Sequence, residues 1–190
     1  MRRSHEIIEI LADVVENTVV GCNLVVMDGK GGWETISCPK INYIFGNAQY
    51  VKDKLDVLSK PVTETMKFPL IALFCPFNEK RNSPDYYTKA KVRVLIACAT
   101  SRDWNNEQRL NTSFVNILRP IYNRFLEALK EDGRFDFGYD EQVSHEYSEN
   151  YSYGRYGAFT ATGEEVSEPI DAINISNLEL TVKNLNCRLQ

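Results

Sequence analysis

NNEQRLNTSFVNILRPIYNRFLEALKE, residues 105–131, is the stretch on which the fold turns. Its apolar residues fall at Leu110, Phe114, Ile117, Leu118, Ile121, Phe125, Leu126 and Leu129. Gaps of three and four place them on one stripe of a helix. At ~1.5 Å rise per residue the helix is roughly 40 Å long. Burying these side chains contributes on the order of 12–24 kcal/mol before chain entropy is set against it. Glu107, Arg109, Asn116, Asn123 and Lys130 fall on the opposite face, which is expected to be wet. Pro120 removes one backbone bond and crowds the carbonyl of Asn116, so a kink is expected. The apolar phase continues through it, which predicts one bent helix rather than two. Asp132-Gly133 ends it, with Gly133 expected in the left-handed conformation.

Such a rod needs a flat apolar partner, and the preceding residues supply one. Phe68 to Pro76 (FPLIALFCP) is apolar on both faces, which predicts a strand buried on both sides. Ala90, Val92, Val94, Ile96 and Cys98 alternate with Lys89, Lys91, Arg93, Leu95 and Ala97, a second strand. The two are expected to pair antiparallel, with polar Asn78–Tyr87 as a long projecting connection.

Further upstream, Ser4 can cap a first helix carrying Ile7, Ile8, Leu11, Val14, Val15 and Val19, closed by Gly21. Leu24–Met27 and Trp33–Ile36 read as a hairpin around Asp28-Gly29-Lys30-Gly31-Gly32. These glycines are no phosphate cradle, since no Gly-Lys-Ser/Thr ending leads into a helix. Ile41–Phe45 is a third short strand, and Asn47 can cap a second helix with Val51, Leu55 and Leu58, stopped by Pro61.

The last third is aromatic. Phe135, Phe137 and Tyr139 alternate, as do Val143, His145 and Tyr147, which predicts two short strands. Tyr151, Tyr153, Tyr156 and Phe159 follow among Ser and Gly. In the closing strand Ile173 and Ile175 have one parity, and Leu178, Leu180 and Val182 the other. A bulge at Ser176-Asn177 reconciles them. The sum is α+β: an antiparallel β-sheet with one long helix packed across a face and smaller flanking helices. A single domain over residues 1–190 is expected, with 134–168 as an aromatic-rich elaboration.

Composition narrows the function classes. The chain has 190 residues and a net charge of −4, from 22 basic and 26 acidic residues. That balance argues against nucleic acid as the main partner. The longest apolar window, Phe68 to Cys75, is far short of the ~20 residues of a membrane span. Residues 1–6 have the charge of a signal-peptide start, but Glu6, Glu9, Asp13 and Glu16 interrupt any apolar core, so a cytosolic product is expected. Cys22, Cys38, Cys75, Cys98 and Cys187 are odd in number and widely spaced, which predicts reduced thiols.

No catalytic signature stands out. The two histidines are His5 and His145; His145, on an aromatic strand, reads as structural or surface. Asp132, Asp136 and Asp140 are spaced by four where a calcium loop needs two, and no bidentate Glu follows in place. Tyr147, Tyr151, Tyr153 and Tyr156 are the candidate interface residues, because Tyr supplies contact area with a polar tip. A core-edge role is the competing reading. Base stacking lacks its electrostatic half, since Arg155 is the lone base between Glu141 and Pro169. A small hydrolase or ligand-binding enzyme using His145, Glu146 and Tyr151 is the rival from another class. It requires a pocket uniting them with a nucleophile or metal.

Three stretches together carry a resemblance. They are Phe68–Leu73 followed by Val92–Ala97; Leu118-Arg119-Pro120-Ile121-Tyr122 with Leu126 and Leu129; and Tyr153-Gly154-Arg155 followed by Asp171–Leu180 (DAINISNLEL). In this order they are similar to tailed-bacteriophage tail-completion proteins (tail terminator, head–tail joining) and their prophage relatives, over about 120 residues in pieces. The extended Asn78–Tyr87 loop and the Phe135–Phe159 segment depart from the pattern. The resemblance implies a non-enzymatic virion protein, made in the bacterial host cytoplasm and placed in the tail or neck. It implies a homo-oligomeric ring, commonly a hexamer, on the head-proximal end of the tail tube. Its partners would be the tail-tube protein and the head connector, with no cofactor, no metal, no membrane and no sequence-specific nucleic acid. A related neck or tube-end part of a phage-like contractile injection system is the alternative within this class.

Overall fold

The computed structural model describes residues 6–27, 32–51, 53, 68–81, 87–101, 103–153 and 170–183. The elements in chain order are α1 (Ile7–Val19), β1 (Asn23–Met27), β2 (Trp33–Ser37), β3 (Asn42–Gly46), β4 (Leu70–Phe74), β5 (Glu79–Arg81) and β6 (Tyr87–Ala99). A long helix, α2, follows in three consecutive segments, Asn106–Arg109, Leu110–Leu118 and Arg119–Glu131, and then β7 (Glu146–Tyr153) and β8 (Ile170–Lys183). Residues 48–51 are also helical; Asn47 caps them by accepting from the Tyr50 amide at 2.8 Å. Ser4, the turn at 28–31 and the expected helical positions Leu55 and Leu58 lie outside the described residues.

The main sheet runs β3-β4-β6-β8-β7, with β5 also on β6, and the fold is α+β. β4 and β6 pair antiparallel, Leu70 opposite Ala97 through Phe74 opposite Arg93. All five residues of β4 are buried, as its two-faced apolar run requires. One pair departs from the expected antiparallel pattern. β3 lies parallel to β4, because the 23 residues from 47 to 69 give room for the crossover that a parallel pair needs. The connection after β4 is also less of a free loop than expected, since β5 returns to the ladder as Glu79–Arg81 on Thr88–Ala90.

Helices cover one face. Ile71, Leu73, Val92, Val94, Ile96, Ile173, Ile175, Leu178 and Leu180 form one core with α1 and α2. On the other face Leu70, Ala72, Phe74, Leu95, Ala97 and Ala172 pack with Val51. β8 keeps its apolar residues on the helix side through the bulge. Val92 faces Leu178 and Val94 faces Ile175, so Ser176 and Asn177 together oppose Arg93. Asn177 takes φ +51°, a left-handed conformation that Asn tolerates better than most residues.

α2 is where periodicity misleads. Asn105 starts it with a capping box: its side chain accepts from the Gln108 amide at 2.9 Å, and the Gln108 side chain accepts from the Asn105 amide at 2.9 Å. Leu110–Leu118 is then a π-helix, with the Arg119 amide reaching the Phe114 carbonyl five residues back. This wider register absorbs Pro120, which has no N–H to place, and the helix resumes as α at Arg119. It also rotates the buried stripe. Arg109, Thr112, Ser113, Phe114 and Leu118 are buried, while Leu110 and Ile117 are half-buried. Arg109 therefore corrects the expectation of a wet side chain. Gly133 is a second correction. It lacks positive φ, because Asp132 leaves the helix extended and its carboxylate turns to Arg134 instead.

The aromatic segment is a third correction. Phe135 forms a single bridge to Val182, and residues 138–141 turn, Gly138 with φ +75°. The Phe135 and Phe137 rings lie 5.8 Å apart, tilted by 42°, with no strand over this segment beyond that bridge. Strand pairing begins only at Glu146.

Candidate functional site

The candidate residues sit where β7 meets α2. Tyr147, Glu149 and Tyr151 share the helix-facing side of β7, and α2 sends Arg119 and Tyr122 down to them. Arg119 grips Glu149 with two charge-assisted bonds, Nε to Oε1 at 2.7 Å and the terminal nitrogen to Oε2 at 3.1 Å. Tyr147 donates its hydroxyl to the same carboxylate. The Tyr147 ring meets Tyr122 edge-on, centroids 4.9 Å apart. Tyr122 in turn bonds His145 Nε2 at 2.7 Å. His145 Nδ1 lies 2.7 Å from the Val143 carbonyl, which can only accept. Nδ1 therefore carries hydrogen, and in the neutral ring Nε2 accepts from the Tyr122 hydroxyl. Both ring nitrogens are committed to structure.

The electrostatics follow. Hydrogen bonding from Arg119 holds the Glu149 carboxyl below the usual carboxylate range. Burial first, and then the hydrogen bond to Glu149, push the Tyr147 hydroxyl up. Burial does the same for Tyr122 and Tyr151. These tyrosines stay neutral and offer a hydroxyl and a ring face rather than a nucleophile. Burial also pushes the Cys98 thiol up to about 12, so it is an inert packing group.

The four tyrosines do not form one patch. Tyr147 is 42% exposed at the sheet margin, on the helix-facing side. Tyr151 is half-buried with its ring 4.3 Å from that of Phe114, a core-edge position. The backbone of Tyr153 pairs with Ile170, and Tyr156 lies outside the described residues. His145, Glu146 and Tyr151 are not brought together either, since Glu146 accepts instead from Ser176 at 3.1 Å. Asp132, Asp136 and Asp140 do not converge. Asp132 binds Arg134 at 2.6 Å, and Asp136 accepts from the Gly138 amide at 3.0 Å. Among the described residues no group of three His, Cys, Asp or Glu could hold a metal.

Two features were missed by sequence reasoning. Arg109 and Asp171, 1% and 0% exposed, form a buried ion pair at 3.1 Å. Arg109 also donates to the carbonyls of Trp104 at 2.9 Å and Ser101 at 2.6 Å. Asp171 shares the parity of Ile173 and Ile175, a legible sign that it faces inward. The second is a groove of about 1090 Å³ on the sheet face away from the helices, lined by Phe74, Phe77, Lys80, Lys89, Arg93 and Asn177 among others. It contains none of the candidate tyrosines.

No model of a known protein family matches the chain, and no curated protein matches it. Among the described residues no helix is long and apolar enough to cross a membrane.

Proposed function

We propose that this chain is a non-enzymatic virion subunit of the tail-completion type, assembling as a ring on the head-proximal end of a tail tube and joining tail to head. The observation that carries the proposal is the sheet margin. Among the described residues β3 pairs only with β4 and β7 only with β8, so these two are the outermost strands of the described sheet. Exposed Phe45 and Tyr147 stand on these two edge strands. An edge of this kind is closed most economically by a strand from a sibling copy, and a cyclic arrangement leaves none open. Of the stretches behind the tail-completion resemblance, Phe68–Leu73 with Val92–Ala97, the Leu118–Tyr122 region and Asp171–Leu180 fall on β4 with β6, on α2 and on β8, while Tyr153 ends β7 and 154–155 lie outside the described residues. Electron microscopy with a tail-tube protein, beside light scattering of the isolated chain, tests the proposal. Rings that cap or extend tubes are expected; a strict monomer that never engages a tube end overturns it.

A further inference from the structure

The two faces of the molecule carry opposite charge. On the sheet face away from the helices, Lys89, Lys91 and Arg93 alternate along β6, which spaces them about 6.7 Å apart. Lys80 of β5 stands directly opposite Lys89, a like-charge pair that disfavours itself unless a counter-charge is supplied. The Arg93 guanidinium lies over the Phe74 ring at 4.5 Å. Lys91 reaches Glu179 at 2.6 Å, both side chains well exposed. Among the described residues Lys80, Lys89 and Arg93 have no carboxylate partner. The groove thus holds four cations, Lys80, Lys89, Lys91 and Arg93, against Glu79 and Glu179, in a chain whose net charge is −4.

The opposite side of the molecule is acidic. α1 turns Ile7, Ile10, Leu11, Val14, Val15 and Thr18 inward. Its outward ridge carries Glu9, Asp13 and Glu16, separated by four and three residues and so by about 6 and 4.5 Å along the axis. Asp13 is bound to Arg134 at 2.7 Å; Glu9 and Glu16 have no cation partner among the described residues.

We infer that the acidic ridge of α1 in one copy docks along the basic row of β6 in the next, a head-to-tail contact between unlike faces. The two rows match in sign and, within a few ångströms, in spacing. Rows of opposite charge steer encounter and fix the register of a contact between two surfaces. A heterologous contact of this kind closes into a ring where its rotation permits. The inference rests on the ring reading and names the surfaces that would make it.

Two exposed double reversals test it: Lys89→Glu with Arg93→Glu, and Glu9→Lys with Glu16→Lys, each checked for native secondary structure by circular dichroism. The wild type is expected to assemble by light scattering, and less so as salt rises. Each variant alone is expected to associate about tenfold more weakly or worse. A one-to-one mixture, in which each reversed face meets its complement, is expected to assemble again. Wild-type assembly that both reversals leave unchanged, or a mixture that stays dissociated, overturns this contact while leaving the ring reading intact. A wild type that is monomeric at every concentration overturns both. The neutral pair Lys89→Gln with Arg93→Gln is expected to fall between the wild type and the reversal; equality with the wild type counts against the contact.

Discussion

Arg109 sits in a helix beside polar neighbours, and a 3.6-residue period turns it to water. The π register turns it inward, onto Asp171. Removing one member of such a pair strands the other charge in the core. Arg109→Met is therefore expected to cost about 3–5 kcal/mol, read as a drop in the urea midpoint at constant slope. The double replacement Arg109→Met, Asp171→Leu is expected to recover most of that loss, because an apolar pair carries no desolvation cost. A double variant as unstable as the single one would contradict the account. The Arg119–Glu149 contact is milder, since Arg119 is 42% exposed. The folded Glu149 carboxyl is held below its usual range, so its contribution is whole above that range. The contribution drains away as pH falls through the depressed value. Glu149→Gln is expected to cost about 1 kcal/mol near neutral pH and to flatten the acid limb of a stability–pH curve. An unchanged acid limb would show that the pair adds nothing.

At the scale of elements, much was legible. The two-faced run of β4 and the alternation of β6 read from period, because their burial repeats every residue or every second one, whereas the hairpin β1–β2 read from the glycine-rich segment between its strands. The bulge was legible too, since the parity break between Ile175 and Leu178 has one simple cure. Deleting Asn177 leaves Ser176 alone opposite Arg93, which restores strict alternation and keeps Leu178, Leu180 and Val182 on the helix side. A single cooperative thermal transition is therefore expected from that variant; its loss would show that the bulge itself is required. Asn177→Gly is expected to stay within about 1 kcal/mol of the wild type, and Asn177→Val to lose about 1–2 kcal/mol from the left-handed backbone. What the period could not give was a change of helix type inside α2, or the turn at Gly138 that ends the aromatic alternation. Both depend on contacts distant in sequence: α2 lies across β6 and β8, and Asp136 donates its amide to Thr181 at 2.8 Å.

At the scale of the molecule, the helices and the sheet are clamped at their rim. Arg124 donates to the Val20 carbonyl at 2.8 Å and binds Glu131 at 2.9 Å, joining the end of α1 to α2. Arg134, nearly buried, bridges Asp13 and Asp132. Arg134→Ala is expected to lower the melting temperature by several degrees, a loss of about 2–3 kcal/mol. An unchanged melting temperature would show that the bridge adds nothing to stability. Away from this rim, every residue of β2 is exposed, although its partner β1 rests on α2 and buries Leu24. Trp33 stands on that strand at 51% exposure, and the only other indole is Trp104, half-buried before α2. The two rings thus form a built-in optical pair. Iodide should quench the Trp33 emission and spare that of Trp104, so a change in quenching on mixing with any companion protein would report whether the hairpin has been shielded.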